Sequence, residues 1–160
     1  AEGVATVCPQ GASSPALSTK ISDCECSPGV QTLASGECKV CPGGTYKANK
    51  GVGTCVTCPA STYATATTNF ALAAIYLSAC VACPANSYSP PGSDGLGRCK
   101  CLPGYSGVQY CRPCEVSTYK ISTGSDACTP CAAGTYTTGE TSTDCTPCPT
   151  HSSSPPGSHN

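Results

Sequence analysis

Apolar side chains in this chain mostly occur singly or in short clusters, separated by Gly, Pro, Ser and Thr. Turn-forming residues recur about every 8–12 positions, which predicts short two-stranded hairpins and turns with little other regular structure. The longest apolar run, Phe70 to Leu77, is too short to span a bilayer. It sits within Asn69–Ala79, the most apolar stretch of the chain. The amino-terminal Val4-Ala5-Thr6-Val7 reads as an extended segment able to add a strand to another subunit's hairpin edge.

Periodicity dominates the rest. Cys-x-x-Cys occurs at Cys38/Cys41, Cys55/Cys58, Cys80/Cys83, Cys111/Cys114, Cys128/Cys131 and Cys145/Cys148, and Cys-x-Cys at Cys24/Cys26 and Cys99/Cys101. A phrase follows the second Cys: Pro42-Gly43-Gly44-Thr45-Tyr46, Pro59-Ala60-Ser61-Thr62-Tyr63, Pro84-Ala85-Asn86-Ser87-Tyr88, Glu115-Val116-Ser117-Thr118-Tyr119, Ala132-Ala133-Gly134-Thr135-Tyr136. A longer repeat is nested on the short one. It divides the chain into an extended segment (1–7), repeat unit 1 (8–82), repeat unit 2 (83–147), and the start of a further repeat or a Ser/Pro-rich tail (148–160). Cys148-Pro149-Thr150-His151-Ser152-Ser153-Ser154-Pro155-Pro156-Gly157-Ser158 parallels Cys83 to Ser93 closely.

Pairing each opening cysteine with the next downstream closes every repeat on itself. The pairs are Cys8–Cys24, Cys26–Cys38, Cys41–Cys55, Cys58–Cys80, Cys83–Cys99, Cys101–Cys111, Cys114–Cys128 and Cys131–Cys145. Spacing alone does not fix connectivity. Zinc is the competing use of Cys-x-x-Cys, but zinc ribbons take discrete knuckles and this chain has a continuous ladder of them. Cys148 is left over. Its partner is expected either beyond Asn160 or on another subunit.

Composition supports covalent order. The 160 residues hold 17 Cys, 17 Gly and 15 Pro, with one Phe and neither Met nor Trp. Such a chain lacks the apolar side chains for a conventional core, so cross-links must supply the order. The lack of an initial Met fits either a processed, secreted chain or a piece of something longer. A net charge of −1 gives no strong attraction to nucleic acid or anionic membrane. The expected fold class is small and disulfide-rich, with tandem cysteine-rich repeats and short β-hairpins forming an elongated rod.

The Cys-Pro-Gly-Gly-Thr-Tyr phrase with Cys55-Val56-Thr57-Cys58 resembles the ephrin-receptor-like cysteine-rich repeat. Cys99-Lys100-Cys101-Leu102-Pro103-Gly104-Tyr105-Ser106-Gly107 followed by Cys111 looks like the last loop of an EGF-like module. In such modules the final two cysteines pair, which implies Cys101–Cys111. Tandem repeats of this kind are also similar to protist or algal surface-coat and mastigoneme (flagellar hair) proteins. Ser89-Pro90-Pro91 and Ser154-Pro155-Pro156 resemble hydroxyproline-rich algal glycoproteins, which implies O-linked glycans at Pro90, Pro91, Ser152, Ser153, Ser154, Pro155 and Pro156. There is no Asn-x-Ser/Thr sequon.

Catalysis has little to work with. His151 and His159 lie in the terminal Ser/Pro segment, and the carboxylates form no paired motif. No catalytic residue, metal or cofactor is expected. Phe70, Leu72, Ile75, Tyr76 and Leu77 enlarge the Cys58–Cys80 loop and are expected, with Cys148, to contact a neighbouring subunit. The expectation is a homo-polymeric subunit of a secreted, extracellular filament or of a coat on the cell or flagellar surface, without a membrane span. The alternative is a ligand-binding ectodomain segment of a receptor or adhesion protein.

Overall fold

The recurring phrase folds as a turn, for a local reason. The N–H of Thr45 donates to the carbonyl of Pro42 at 3.2 Å, and the Thr45 hydroxyl donates to the same oxygen at 2.7 Å. The residue before it must have a positive φ, as in Gly44 (76°), Ser61 (61°), Asn86 (61°), Ser117 (76°) and Gly134 (79°). Gly and Asn tolerate that left-handed conformation best. The hydroxyls of Thr62, Ser87, Thr118, Thr135 and Ser152 make the same backward bond in their own copies.

In four of the copies the turn launches a Thr-Tyr strand that pairs antiparallel with the dipeptide inside the next Cys-x-x-Cys, and Ser87–Tyr88 pairs instead with Lys100–Cys101. Thr45–Tyr46 pairs with Val56–Thr57, Thr62–Tyr63 with Val81–Ala82, and Thr118–Tyr119 with Thr129–Pro130. The spacing of the knuckles therefore serves a hairpin. The dipeptide is a strand, and its two flanking cysteines belong to successive loops.

The computed structural model describes residues 7–159. Of the expected amino-terminal strand, residues 4–6 lie outside the described residues, and Val7 is exposed. The chain is small and disulfide-rich, with tandem cysteine-rich repeats made of short hairpins. The disulfides are Cys8–Cys24, Cys26–Cys38, Cys41–Cys55, Cys58–Cys80, Cys83–Cys99, Cys101–Cys111, Cys114–Cys128 and Cys131–Cys145. Loops of this size each stabilise the fold by about 3 kcal/mol through the entropy removed from the unfolded chain.

Two compact units result. The first holds the residues up to Ala82 together with Pro90–Leu96, and the second holds Cys83–Ser89 with the residues from Gly97 onward. In the first, Val30, Ala64, Ala73 and Leu77 are buried with Cys26, Cys41 and Cys58. In the second, the buried interior is mostly sulfur, with Cys99, Cys101, Cys114 and Cys131, joined by Thr137 and Lys120. The Thr137 hydroxyl accepts from the Ser117 N–H at 2.7 Å, so its burial leaves that oxygen satisfied.

Among the hairpins and turns stands one α-helix that the turn-residue pattern does not predict. Phe70–Tyr76 is an α-helix. Asn69 caps it, its side-chain oxygen accepting from Ala71 N–H at 2.9 Å and Leu72 N–H at 3.3 Å. Ala71, Leu72, Ala73 and Ala74 are strong helix formers and make up its centre. Phe70, Ala73 and Leu77 fall on one face, and that face meets the core. The apolar run therefore finds a partner inside its own unit.

Candidate interaction surface

The helix sorts the residues expected at a subunit contact into two groups. Leu77 is fully buried and Phe70 packs against the core, its ring filling the space beside Gly11. Leu77 is corrected: it holds the helix to its own unit and is not offered to a neighbour, whereas Phe70 is half-buried, packed on the core on one side and open on the other. Gly29 allows this packing, because a Cβ there would sit 2.1 Å from the carbonyl oxygen of Ala73. Leu72, Ile75 and Tyr76 face outward, with Ile75 67 % exposed. They stand at i, i+3 and i+4, one stripe of the helix surface.

That stripe lies in an uncharged stretch. No Asp, Glu, Lys or Arg occurs between Lys50 and Asp94. Leu72, Ile75 and Tyr76 themselves carry no charge to desolvate when they are covered, as at the centres of protein interfaces. Beside the inner end of the helix runs an open groove of about 860 Å³, lined among others by Lys39, Val40, Pro42, Ala66 and Phe70.

Two lysines are used internally. Lys120 is 5 % exposed, and its ammonium donates to the carbonyls of Tyr105 at 2.9 Å, Gly124 at 3.0 Å and Cys101 at 3.3 Å. Lys47, at the matching place after its Tyr, donates to the Asn49 carbonyl at 2.6 Å. Burial pushes both lysines below the usual pKa of 10.5, opposed in part by Glu25 for Lys47 and by Asp126 for Lys120. Each charge replaces apolar filling at the centre of a loop. Sequence reasoning passed over both, although each follows a repeat tyrosine directly.

The repeats match a known family in part. Residues 29–71 fit the family model of tyrosine-protein kinase ephrin type A/B receptor-like sequences. The receptor-like segment begins at the buried turn of Gly29 and ends just inside the helix. It contains the whole Cys41–Cys55 loop with part of the loop on each side, and the remaining repeats lie outside it. No curated protein matches the chain. The disulfide ladder and the receptor-like segment together describe an extracellular type of disulfide-rich repeat.

The remaining candidate residues have definite positions. Cys148 is unbridged and half-buried, its thiol 3.3 Å from the Ser154 hydroxyl. Ser154 in turn donates to the Thr135 carbonyl at 3.1 Å, so its hydroxyl is engaged by protein. Ser152 and Ser153 are exposed, the Ser152 hydroxyl donating back to Pro149 at 2.6 Å. Pro90, Pro91, Pro155 and Pro156 are exposed. No group of three or more His, Cys, Asp or Glu side chains among the described residues is arranged to hold a metal ion. No helix among them is long and apolar enough to cross a membrane.

Proposed function

We propose that this chain is a non-catalytic structural subunit of an extracellular filament or cell-surface coat. The observation that carries this reading is the exposed, uncharged stripe of Leu72, Ile75 and Tyr76 on a body otherwise closed by disulfides. Such a stripe gains stability when another subunit covers it. The body needs no further folding to present it, because the helix is capped by Asn69 and anchored through Leu77. The exposed Ser-Pro-Pro prolines suit O-linked glycans on the outer surface, in keeping with the resemblance to algal coat and flagellar-hair proteins.

A second reading has its own support. The receptor-like segment and the groove beside Lys39 favour a ligand-binding ectodomain. Electron microscopy and sedimentation of the purified chain separate the two. Regular fibres that disappear on Ile75→Glu support the structural role. Discrete particles that are unchanged by that substitution, and that bind a ligand at the groove, support the ectodomain.

A further inference from the structure

The open groove of about 860 Å³ lies between the hairpin of Val30–Thr32 with Cys38–Val40 and the segment that leads into the helix. It belongs wholly to the first unit. Both of its walls are held. Cys26–Cys38 closes the hairpin, and residues 66–68 are followed by the Asn69 cap and by Phe70 on the core. A Cβ on Gly43 would lie 2.8 Å from that of Ala66, so the walls touch there and only a glycine fits. A ligand would meet a preformed surface and lose little in ordering it.

The chemistry of the lining is one-sided. Half-buried Val40 and Phe70, with exposed Pro42 and Ala66, supply an apolar surface that includes one aromatic ring. The polar side chains are Gln31, Lys39, Thr67 and Thr68, and all four can donate hydrogen bonds. Gln31 and Lys39 stand directly opposite each other across the hairpin, so an amide and an ammonium share one wall. The Thr67 hydroxyl already accepts from the Asn69 N–H at 3.1 Å, which leaves its own hydrogen to give. Lys39 is the one charged residue of the lining. Among the described residues its ammonium has neither an ion pair nor a hydrogen bond, and no carboxylate lines the groove to neutralise it.

We infer that the groove binds an acidic saccharide through a pyranose ring that bears a carboxylate, as in a uronic acid. The carboxylate would meet Lys39 and Gln31, and ring oxygens would accept from Thr67 and Thr68. The C–H face of the ring would lie on the open side of Phe70, weakly positive hydrogens against the negative π surface. A neutral sugar would leave Lys39 unmatched. An acidic peptide would bring backbone N–H donors to a wall that is itself made of donors. This inference names the ligand of the ectodomain reading and rests on it, and it makes no use of the helix stripe.

The test titrates trigalacturonate and its methyl ester into the isotope-labelled full chain, followed by NMR. Trigalacturonate should shift the signals of Gln31, Lys39, Thr67, Thr68 and Phe70, and the ester, which keeps the sugar and loses the charge, should bind about ten-fold more weakly. Lys39→Gln should weaken trigalacturonate by about the same factor and leave the ester unchanged, a split that a misfolded variant cannot produce. Ala66→Tyr fills the groove from an exposed position and should abolish binding of both, with signals outside the groove showing that the fold is intact. No response up to about 10 mM, equal binding of acid and ester, or shifts shared with exposed Lys50 and Lys100 would each overturn the inference. An acidic peptide or a fatty acid that fills the groove where trigalacturonate does not would overturn it as well, while leaving the ectodomain reading in place.

Discussion

A Cβ placed on Gly44 would lie 2.0 Å from the carbonyl oxygen of Gly92, so the turn at Gly44 and the Ser-Pro-Pro turn meet backbone to backbone. Gly44→Ala therefore carries both a clash and a left-handed alanine at φ 76°. It should destabilise the first unit by more than the roughly 1–2 kcal/mol of the conformation alone. Gly134→Ala is the control, with φ 79° and nothing within 4 Å of its Cβ, and should show only the conformational part. Denaturant titration of the two variants gives the comparison.

Lys120→Met should remove a donor shared by three carbonyls. Cys101 keeps the N–H of Gly124 at 2.9 Å, so the loss falls mainly on Tyr105 and Gly124. Losing such a buried donor costs about 1–3 kcal/mol. Amide exchange of the second unit measures it, and an effect confined to the first unit would contradict the geometry.

The same lysine has a testable titration. Burial lowers its pKa below 10.5, and Asp126 opposes that shift. A cation with a lower pKa folded than unfolded disfavours folding while charged. Stability from this group therefore rises as pH climbs through the folded pKa towards 10.5. Side-chain NMR should show Lys120 titrating below 10.5, and Asp126→Asn should move its midpoint down further.

Leu77→Ala and Ile75→Glu should part company. The first empties a fully buried site and should cost about 2–5 kcal/mol. The second changes an exposed position and should stay within about 0.5 kcal/mol while reducing assembly. Thermal unfolding and sedimentation read the two effects separately. Deleting residues 69–76 cannot serve instead, because it removes Phe70 and Ala73 from the core.

Cys148 should react as one thiol per chain with an alkylating reagent, and more slowly before denaturation than after. Its sulfur is half-buried against Ser154.

What could be read from the residues, and what could not, follows from the range of the interactions. The hairpins are local: a turn and the next knuckle lie within one loop, so their spacing shows in the sequence. The helix was also legible in part, in Asn69 before an apolar run with Phe70, Ala73 and Leu77 on one face, but the density of Gly, Pro and Thr around it favoured turns. The inward use of Leu77 was hidden, because its neighbours come from Val30 and the sulfurs of distant loops. The carbonyl cage of Lys120 was hidden for the same reason, as its acceptors lie 4, 15 and 19 residues away. The contact between Gly44 and Gly92 likewise joins segments too far apart for spacing to reveal.

The disulfides never interleave, since each joins a cysteine to the next one along. Tension applied at Cys8 and Cys145 would therefore bypass the loops. The load would pass from sulfur to sulfur and then across the one or two residues between consecutive cysteines, such as Glu25 or Lys39-Val40. A hairpin torn open under force would release almost no slack, because the residues of its loop stay shorted out by the sulfur bridge that closes it.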